Sequence, residues 1–200
     1  MKAIINGKIL TENNIIEDKI LLFDNKIRGF CDKIEENIEI IDAKGLYVSP
    51  GLIDIHVHGS CNCDVMDKSL TSIKTIGNGI KTNGVTSFLP TTMTMSKEDI
   101  YEALDTIKKS INIKYDGAQI LGAHLEGPFI NSKYKGAQSD KFIQPPNFPF
   151  IEEYVDVIKI ISYAPEVDDN FNFTKEIKDK TDITLSIAHT NATYEEAKLA

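Results

Sequence analysis

The sequence has 200 residues, of which 42% are hydrophobic and 26% are charged, and its formal net charge at pH 7 is −8. This length and composition are typical of a globular chain with apolar residues for one core or slightly more. Because the 22 Lys and Arg residues are scattered among 30 Asp and Glu residues, we expect no nucleic acid and no membrane as partner. No apolar run of about 18 residues and no signal-peptide pattern is present, so we expect a cytoplasmic location.

The three cysteines are Cys31, Cys61 and Cys63. Their odd number and irregular spacing favour reduced thiols over a disulfide framework. Cys61 and Cys63 follow a pair of histidines, so a role as soft metal ligands is one interpretation. No further cysteine completes a tetrahedral set, and this favours the other interpretation, in which both are small side chains in a loop.

Residues 1–48 consist of short apolar stretches separated by turn pairs, among which Asn6-Gly7 is a strong hairpin signal. The stretches predict strands over residues 2–5, 8–10, 15–16, 19–23, 26–31, 38–42 and 46–48. We therefore predict that this part of the chain is a small antiparallel β module with a structural role.

From residue 49 onwards, predicted strands alternate with predicted helices. Apolar spacing and capping residues predict helices over 69–82, from 96 to about 111, 151–157, 172–180 and from 193. The predicted strands are 50–59, 85–89, 118–126, 157–162 and 183–189. About five βα units predict an α/β fold with a parallel sheet, either open or part of a barrel. Since the last helix has no stop signal and a complete barrel needs about 250 residues, we expect an N-terminal portion of a longer protein.

The four histidines, His56, His58, His124 and His189, all lie on predicted strands. His56 and His58 are two residues apart, so their side chains point to the same side of a strand. Glu126 ends the third predicted strand, and His189 ends the fifth. If these strands are neighbours in one parallel sheet, their carboxyl ends meet at the rim where α/β barrels hold active sites. Three imidazoles and a carboxylate suit Zn²⁺, Fe²⁺ or Co²⁺; His124, set back from the rim, is interpreted as a hydrogen-bonded core residue.

Three stretches carry motifs: residues 50–59 (PGLIDIHVHG), 122–129 (GAHLEGPF) and 188–193 (AHTNAT). Together they resemble the N-acetylglucosamine-6-phosphate deacetylase family of the amidohydrolase superfamily, in order and over essentially the whole chain. The resemblance implies that residues 1–48 are the N-terminal part of a small β-sandwich. It implies that residues 49–200 are the first part of a (β/α)8 TIM-type barrel, incomplete at its C-terminus, with a metal site at the C-terminal rim.

The resemblance also implies an activity, which is hydrolysis of the acetamide of N-acetylglucosamine 6-phosphate to glucosamine 6-phosphate and acetate in the full-length protein. The implied substrate is a phosphorylated amino sugar, and the implied cofactor is one or two divalent ions of Zn, Fe or Co. A homodimer is expected for the full-length form. No catalytic residue is assigned, because the family's catalytic Asp, its second late His ligand and its phosphate contacts would lie beyond residue 200.

Residue by residue, Glu126 and His189 match metal ligands of the family. His56 and His58 match a pair that holds a second metal in some members, so their presence favours two ions. The positions that contact the sugar are matched by Ala137 and Gln138, although many members have His at the second position.

The turn after the first metal-binding strand departs from the family pattern. Asn62 stands where the family often has Gly, and Asn tolerates a positive φ, so we expect the turn to be kept. Asp64 is interpreted as a loop anchor, not as a ligand.

Two alternatives remain open at this point. One is another amidohydrolase, such as a cyclic-amide hydrolase, in which a modified Lys usually bridges two metals; Glu126 takes that structural place here. The other is a catalytically incomplete fragment that binds metal weakly, since we expect the 200-residue chain alone to be inactive.

Overall fold

The structure, a computed structural model, describes residues 1–200 and has a mixed α/β fold. The chain divides into two compact units, Met1–Gly51 and Leu52–Ala200. Parallel strand pairs occur in both units. None of the helices combines the length and the apolar character that crossing a membrane requires.

The first unit contains seven short strands arranged in two sheets. They are β1 (Lys2–Ile5), β2 (Lys8–Leu10), β3 (Ile15–Ile16), β4 (Ile20–Phe23), β5 (Ile27–Cys31), β6 (Glu39–Asp42) and β7 (Tyr47–Val48). One sheet has the order β5-β4-β1-β6, and the other has the order β3-β2-β7.

The prediction of a purely antiparallel module is wrong, because β6 pairs with β1 and β7 pairs with β2 in parallel. Turn signals indicate only how strands that follow each other directly in the sequence pair. β6 and β7 are separated from their partners by other strands, so the turns do not determine their direction. The predicted hairpin at Asn6-Gly7 is also wrong. Asn6 does adopt a left-handed turn conformation, with φ of 54°, but β1 and β2 belong to different sheets.

The second unit contains eight strands and four helices. The strands are β8 (Leu52–Val57), β9 (Gly59–Ser60), β10 (Cys63–Asp64), β11 (Val85–Pro90), β12 (Gln119–Ile120), β13 (Ala123–Glu126), β14 (Ile158–Tyr163) and β15 (Thr184–Ile187). The helices are α1 (Leu70–Lys81), α2 (Lys97–Ser110), α3 (Asn172–Lys180) and α4 (Tyr194–Leu199).

Apart from the short hairpin of β9 and β10, all strand pairs of the second unit are parallel. One sheet has the order β12-β11-β8 and the other has the order β13-β14-β15. A parallel bridge between Thr91 and His124 joins β11 to β13. The strands therefore lie side by side in chain order, and their carboxyl ends meet at one rim.

Two predicted elements differ in the structure. The predicted strand 118–126 is interrupted between β12 and β13, where Gly122 has a φ of 151° and lies so close to Val157 that a Cβ atom would be 2.5 Å from its carbonyl oxygen. The predicted helix over 151–157 is replaced by 3₁₀ turns at Phe148–Phe150 and Glu152–Tyr154. Here Tyr154 N donates to Ile151 O and Val157 N donates to Tyr154 O, which is the three-residue spacing of 3₁₀ turns.

The two longest helices pack against the sheet through their apolar faces. Ser69 caps α1 by accepting from Thr71 N, and Ser96 caps α2 by accepting from Asp99 N. The buried side chains of these helices and of the strands beneath them include Ile73, Ile76, Ile80, Phe88, Ile100, Leu104, Ile107, Leu125 and Ile161. Each such side chain contributes about 1.5–3 kcal/mol on burial. This packing fixes where the strand ends lie.

Candidate metal centre

Three of the four predicted ligands lie at the carboxyl ends of two parallel strands, β8 and β13, which are separated by β11. His56 is on β8 and His58 follows its last residue, while Glu126 is the last residue of β13. Backbone hydrogen bonds tie these strand ends together, since Thr91 N donates to Val57 O at 2.9 Å and Thr92 N donates to His124 O at 3.0 Å.

The side chains of His56, His58 and Glu126 converge on one point. Glu126 Oε2 lies 2.7 Å from His58 Nε2 and 3.3 Å from His56 Nε2. The two Nε2 atoms are 3.2 Å apart. All three donor atoms lie within 4.8 Å of one another. This group can therefore bind a metal ion.

The chemistry of this donor set fits a divalent cation. Four ligands at about 2.0–2.2 Å around a tetrahedral ion lie about 3.3–3.6 Å from one another, and two of the three spacings here are close to that range. Glu126 Oε2 is buried and makes no hydrogen bond of acceptable geometry. A buried carboxylate oxygen without a hydrogen bond is costly, so a cation at this point would remove the penalty.

His189 contacts the other oxygen of the same carboxylate, with its Nε2 atom 2.8 Å from Glu126 Oε1. The prediction that His189 ends a strand is wrong, because β15 ends at Ile187. His189 instead occupies a left-handed turn with a φ of 48°. The structure nevertheless brings it to Glu126 together with His56 and His58.

Backbone carbonyls orient two of the three imidazoles. The Nδ1 atom of His58 lies 3.1 Å from Thr91 O, and the Nδ1 atom of His189 lies 2.9 Å from Tyr134 O. A carbonyl oxygen accepts, so both Nδ1 atoms carry the proton. In a neutral imidazole this leaves the lone pair of Nε2 free to bind a metal ion.

Charge is concentrated on Glu126, whose side chain is only 5% exposed. Burial alone would raise its pKa, but the contacts with the imidazoles of His58 and His189 outweigh burial and lower the pKa to about 2. The contact with Glu126 in turn raises the pKa of His58 above its ordinary value. The carboxylate is therefore ionised at neutral pH, as metal binding requires.

His124 does not contribute a free donor atom. It is buried, its Nδ1 atom lies 2.8 Å from Ile55 O, and its Nε2 atom lies 2.8 Å from Ser162 Oγ. Burial lowers its pKa. Its ring packs edge-on against His56, with centroids 4.9 Å apart. His124 thus links β8 to β14, in agreement with its interpretation as a hydrogen-bonded core residue.

The turn after His58 contributes no residue to the group of three converging donor atoms. Cys61 and Cys63 are not members of the metal-binding group. Asp64 accepts from Met66 N at 2.7 Å and caps a 3₁₀ turn, which fits a loop anchor. Asn62 adopts a φ of 59°, as expected for a residue that replaces Gly in this turn.

Ala137 and Gln138 lie in the long segment after β13. Ala137 is exposed, whereas Gln138 is 4% exposed. The side-chain oxygen of Gln138 accepts from Thr94 N at 2.7 Å. Its amide side chain therefore fastens this segment to the loop after β11.

Sequence reasoning missed Glu166, which follows β14 and accepts from Asn131, Thr190 and Asn191. A signal was available, because an acidic residue in Ala164-Pro165-Glu166 comes just after a predicted parallel strand. Polar residues at such positions gather at the same rim.

Comparison with known proteins gives the following similarities. An N-acetylglucosamine-6-phosphate deacetylase of Bacillus subtilis (strain 168) is 34% identical over 195 residues, covering 92% of this chain and 49% of that protein. One from Vibrio furnissii is 37% identical over 155 residues, covering 76% of this chain and 39% of that protein. The crystal structure of the Pasteurella multocida enzyme of the same name has a TM-score of 0.85 at 28% identity, covering 99% of this chain and 53% of that chain.

No protein-family model matches the chain. The chain spans about half the length of the curated relatives it matches. These similarities confirm the resemblance that the three sequence motifs predicted.

Proposed function

We propose, from the relatedness of this chain to N-acetylglucosamine-6-phosphate deacetylases, that the protein containing it hydrolyses the acetamide of N-acetylglucosamine 6-phosphate. The products are glucosamine 6-phosphate and acetate. The observation that carries the proposal is the convergence of His56, His58 and His189 on the two oxygens of Glu126. The relatives by themselves would support only the family, whereas this geometry supports a site that can do the chemistry.

The metal ligands in this proposal are the four rim residues. His56 and His58 face Oε2 of Glu126, and His189 faces Oε1, so both oxygens of the carboxylate have an imidazole beside them. We propose that these residues hold one or two ions. Imidazole and carboxylate ligands suit Zn²⁺, Fe²⁺ or Co²⁺. A bound divalent ion at this site supplies Lewis-acid activation of the amide carbonyl and of the attacking water.

The protein residues have separate tasks in this proposal. Thr91 and Tyr134 hold the protons of His58 and His189 on Nδ1 through their carbonyl oxygens. Buried Glu126 stays ionised and keeps the imidazoles together. The residue that carries a proton to the leaving amine is not proposed within residues 1–200; an Asp in the remainder of the protein is expected to do this.

The substrate is proposed to lie beside the long segment after β13. Ala137 is exposed there and is proposed to contact the sugar, as the family resemblance implies. Gln138 is proposed to support that contact by holding the segment to Thr94 N.

The larger architecture is also part of the proposal. Five parallel strand positions in chain order, β8, β11, β13, β14 and β15, support an incomplete (β/α)8 barrel over residues 49–200. Residues 1–48, with their two small sheets, are proposed to be part of a β-sandwich. We also propose a cytoplasmic homodimer, and the net charge of −8 supports the absence of nucleic acid as a partner.

An assay with three substrates tests the function. The complete protein, loaded in turn with Zn²⁺, Fe²⁺ or Co²⁺, is incubated with N-acetylglucosamine 6-phosphate, with unphosphorylated N-acetylglucosamine and with dihydrouracil. We expect acetate release from the phosphorylated sugar and little turnover of the other two. Preferential opening of dihydrouracil would contradict the proposal and favour a cyclic-amide hydrolase.

The same assay on residues 1–200 alone addresses the second alternative. We expect no turnover by the isolated chain, because the proton-carrying residue and the phosphate contacts are proposed to lie outside it. Turnover by the isolated chain at the rate of the complete protein would show that this part of the proposal is wrong.

A further inference from the structure

His189 is held in a conformation that its own backbone does not favour. Its φ of 48° is in the left-handed region, where a residue with a side chain loses roughly 1–2 kcal/mol relative to its preferred conformations. Such a conformation persists when neighbouring contacts fix it. Here Asn131 N donates to His189 O at 2.9 Å, and His189 Nδ1 donates to Tyr134 O at 2.9 Å.

Glu166 binds the segments on both sides of this turn. Its Oε1 atom accepts from Asn131 Nδ2 at 2.9 Å and from Asn191 N at 2.6 Å, and its Oε2 atom accepts from Thr190 Oγ1 at 2.5 Å. Asn131 therefore donates its side chain to Glu166 and its backbone N–H to His189. One carboxylate thus joins the loop after β13 to the loop after β15.

Three donors satisfy the carboxylate of Glu166, and no hydrogen bond joins it to Glu126 or to His189. Both of its oxygens are used within the protein. An ionised acceptor makes stronger hydrogen bonds than a neutral one, which suits a group that must hold a strained turn. Its effect on the metal centre is therefore indirect.

We infer that Glu166 is a positioning residue, which fixes the His189 turn against the Asn131 loop so that the imidazole of His189 stays at Glu126. The consequence for metal binding rests on the proposed function. The consequence for the turn itself does not, because the contacts of Glu166 are independent of any bound ion.

Variants of the complete protein separate these two consequences. Glu166→Ala removes all three contacts, while Glu166→Gln keeps an oxygen for Asn131 and Asn191 and an amide that can donate to Thr190 Oγ1. Glu196→Ala is the matched control, because Glu196 also accepts from a backbone N–H and a Thr hydroxyl, both of Thr193. If Glu166→Ala does not fold, Asn131→Asp removes the side-chain donor while its carboxylate still accepts from Lys133 N.

Hydrogen exchange of the backbone N–H of residue 131 in metal-free protein measures how firmly the His189 turn is held. This amide donates to His189 O, not to Glu166, so its protection reports the turn and not the deleted contact. We expect protection to fall at least about 10-fold in Glu166→Ala or in Asn131→Asp, and to be largely restored in Glu166→Gln. Unchanged protection in both Glu166→Ala and Asn131→Asp, or an equal loss in Glu196→Ala, would overturn the inference.

Titration of the same proteins with Co²⁺, followed by its visible absorption, measures the metal centre. We expect about 10- to 100-fold weaker binding in Glu166→Ala, as for other residues that orient metal ligands, and near wild-type binding in Glu166→Gln and Glu196→Ala. If Glu166→Ala bound Co²⁺ with wild-type affinity, the inference that Glu166 positions His189 for metal binding would be overturned. If the wild-type protein bound no Co²⁺, the proposed function would fail, and the exchange measurement would still decide whether Glu166 holds the turn.

Discussion

Glu126 Oε2 lies 2.7 Å from Nε2 of His58, although the two residues come from strands that are separated by another strand. The contact forms because three parallel strands end at one level and their side chains alternate in the same phase. In the absence of an ion it is a close contact between a carboxylate and an imidazole, and in the proposed function the same two atoms are metal ligands. The first prediction concerns the metal-free state.

Glu126→Gln should change the acid stability of the metal-free protein. The pKa of Glu126 is about 2 in the folded protein against an ordinary value of 4.5. A lowered carboxyl pKa stabilises the fold fully above the ordinary value, and the stabilisation is lost as the pH falls from about 4.5 towards 2. Urea unfolding from about pH 7 down to about pH 3 should therefore show a wild-type advantage that shrinks on acidification. If the stability advantage of the wild type grew on acidification, the lowered pKa of Glu126 would be contradicted.

For His58, the imidazole of this pair, we expect the opposite pH dependence at higher pH. Because Glu126 raises the pKa of His58 above 6.5, the stabilisation from this pair is full below 6.5 and is lost as the pH rises through the raised value. In metal-free protein, the stability difference between wild type and His58→Gln should become smaller on the alkaline side. Urea unfolding of both proteins across this range measures it, and a difference that increased with pH would be inconsistent with the pairing.

His58→Ala should weaken metal binding more than it weakens the fold. Its side chain is 32% exposed, so truncation leaves little buried cavity, but it removes one of the three donor atoms that converge on one point. We expect the affinity for Zn²⁺ to fall by at least about 10- to 100-fold, the range for residues that merely orient ligands. Competition with a chelator gives the affinity; an unchanged affinity would exclude His58 as a ligand.

His124→Ala should have the reverse effect. This side chain is buried and both of its nitrogens are used by Ile55 O and Ser162 Oγ. Its removal leaves a cavity and two groups without partners, for a loss of about 2–4 kcal/mol in the free energy of unfolding. The folded fraction should keep a wild-type amount of bound metal per molecule. Loss of metal without loss of stability would contradict the role of His124 as a link between strands.

Gln138→Ala should loosen the segment after β13. It leaves Thr94 N without its acceptor in a buried position, for an expected loss of about 1–3 kcal/mol. Gln144→Ala is the control, since Gln144 lies in the same segment and is only partly buried. Chemical denaturation of the complete protein should show a clear loss for the first variant and a small one for the second. Equal losses of stability in the two variants would mean that the hydrogen bond to Thr94 N does not stabilise the protein specifically.

Much of the second unit could be predicted from the sequence, because its helices have regular apolar spacing and its candidate ligands lie near strand ends. His56, His58, Glu126 and His189 were predicted to share one rim if their strands were neighbours in one parallel sheet. The structure brings the first three within contact distance of one another and His189 into contact with Glu126. Their role as metal ligands stays a prediction.

The errors have physical causes. Periodicity over 118–126 is continuous, and only the close approach of Gly122 to Val157 O, a contact between distant segments, divides the strand. The parallel pairing of β1 with β6 is also a contact between segments that are distant in the sequence, so local patterns do not predict it. The left-handed conformation of His189 depends on the loop of Asn131, which local sequence rules do not describe.

Metal analysis of purified Glu126→Ala beside the wild-type protein tests the central claim most directly. Glu126 is the one residue that contacts all three rim histidines, so the proposal makes its carboxylate the common ligand of the centre. After expression in medium supplemented with Zn²⁺ and removal of loosely bound ions, we predict one or two ions per wild-type chain. We predict almost none in the folded variant, together with loss of deacetylation. Wild-type amounts of metal in Glu126→Ala would contradict the account.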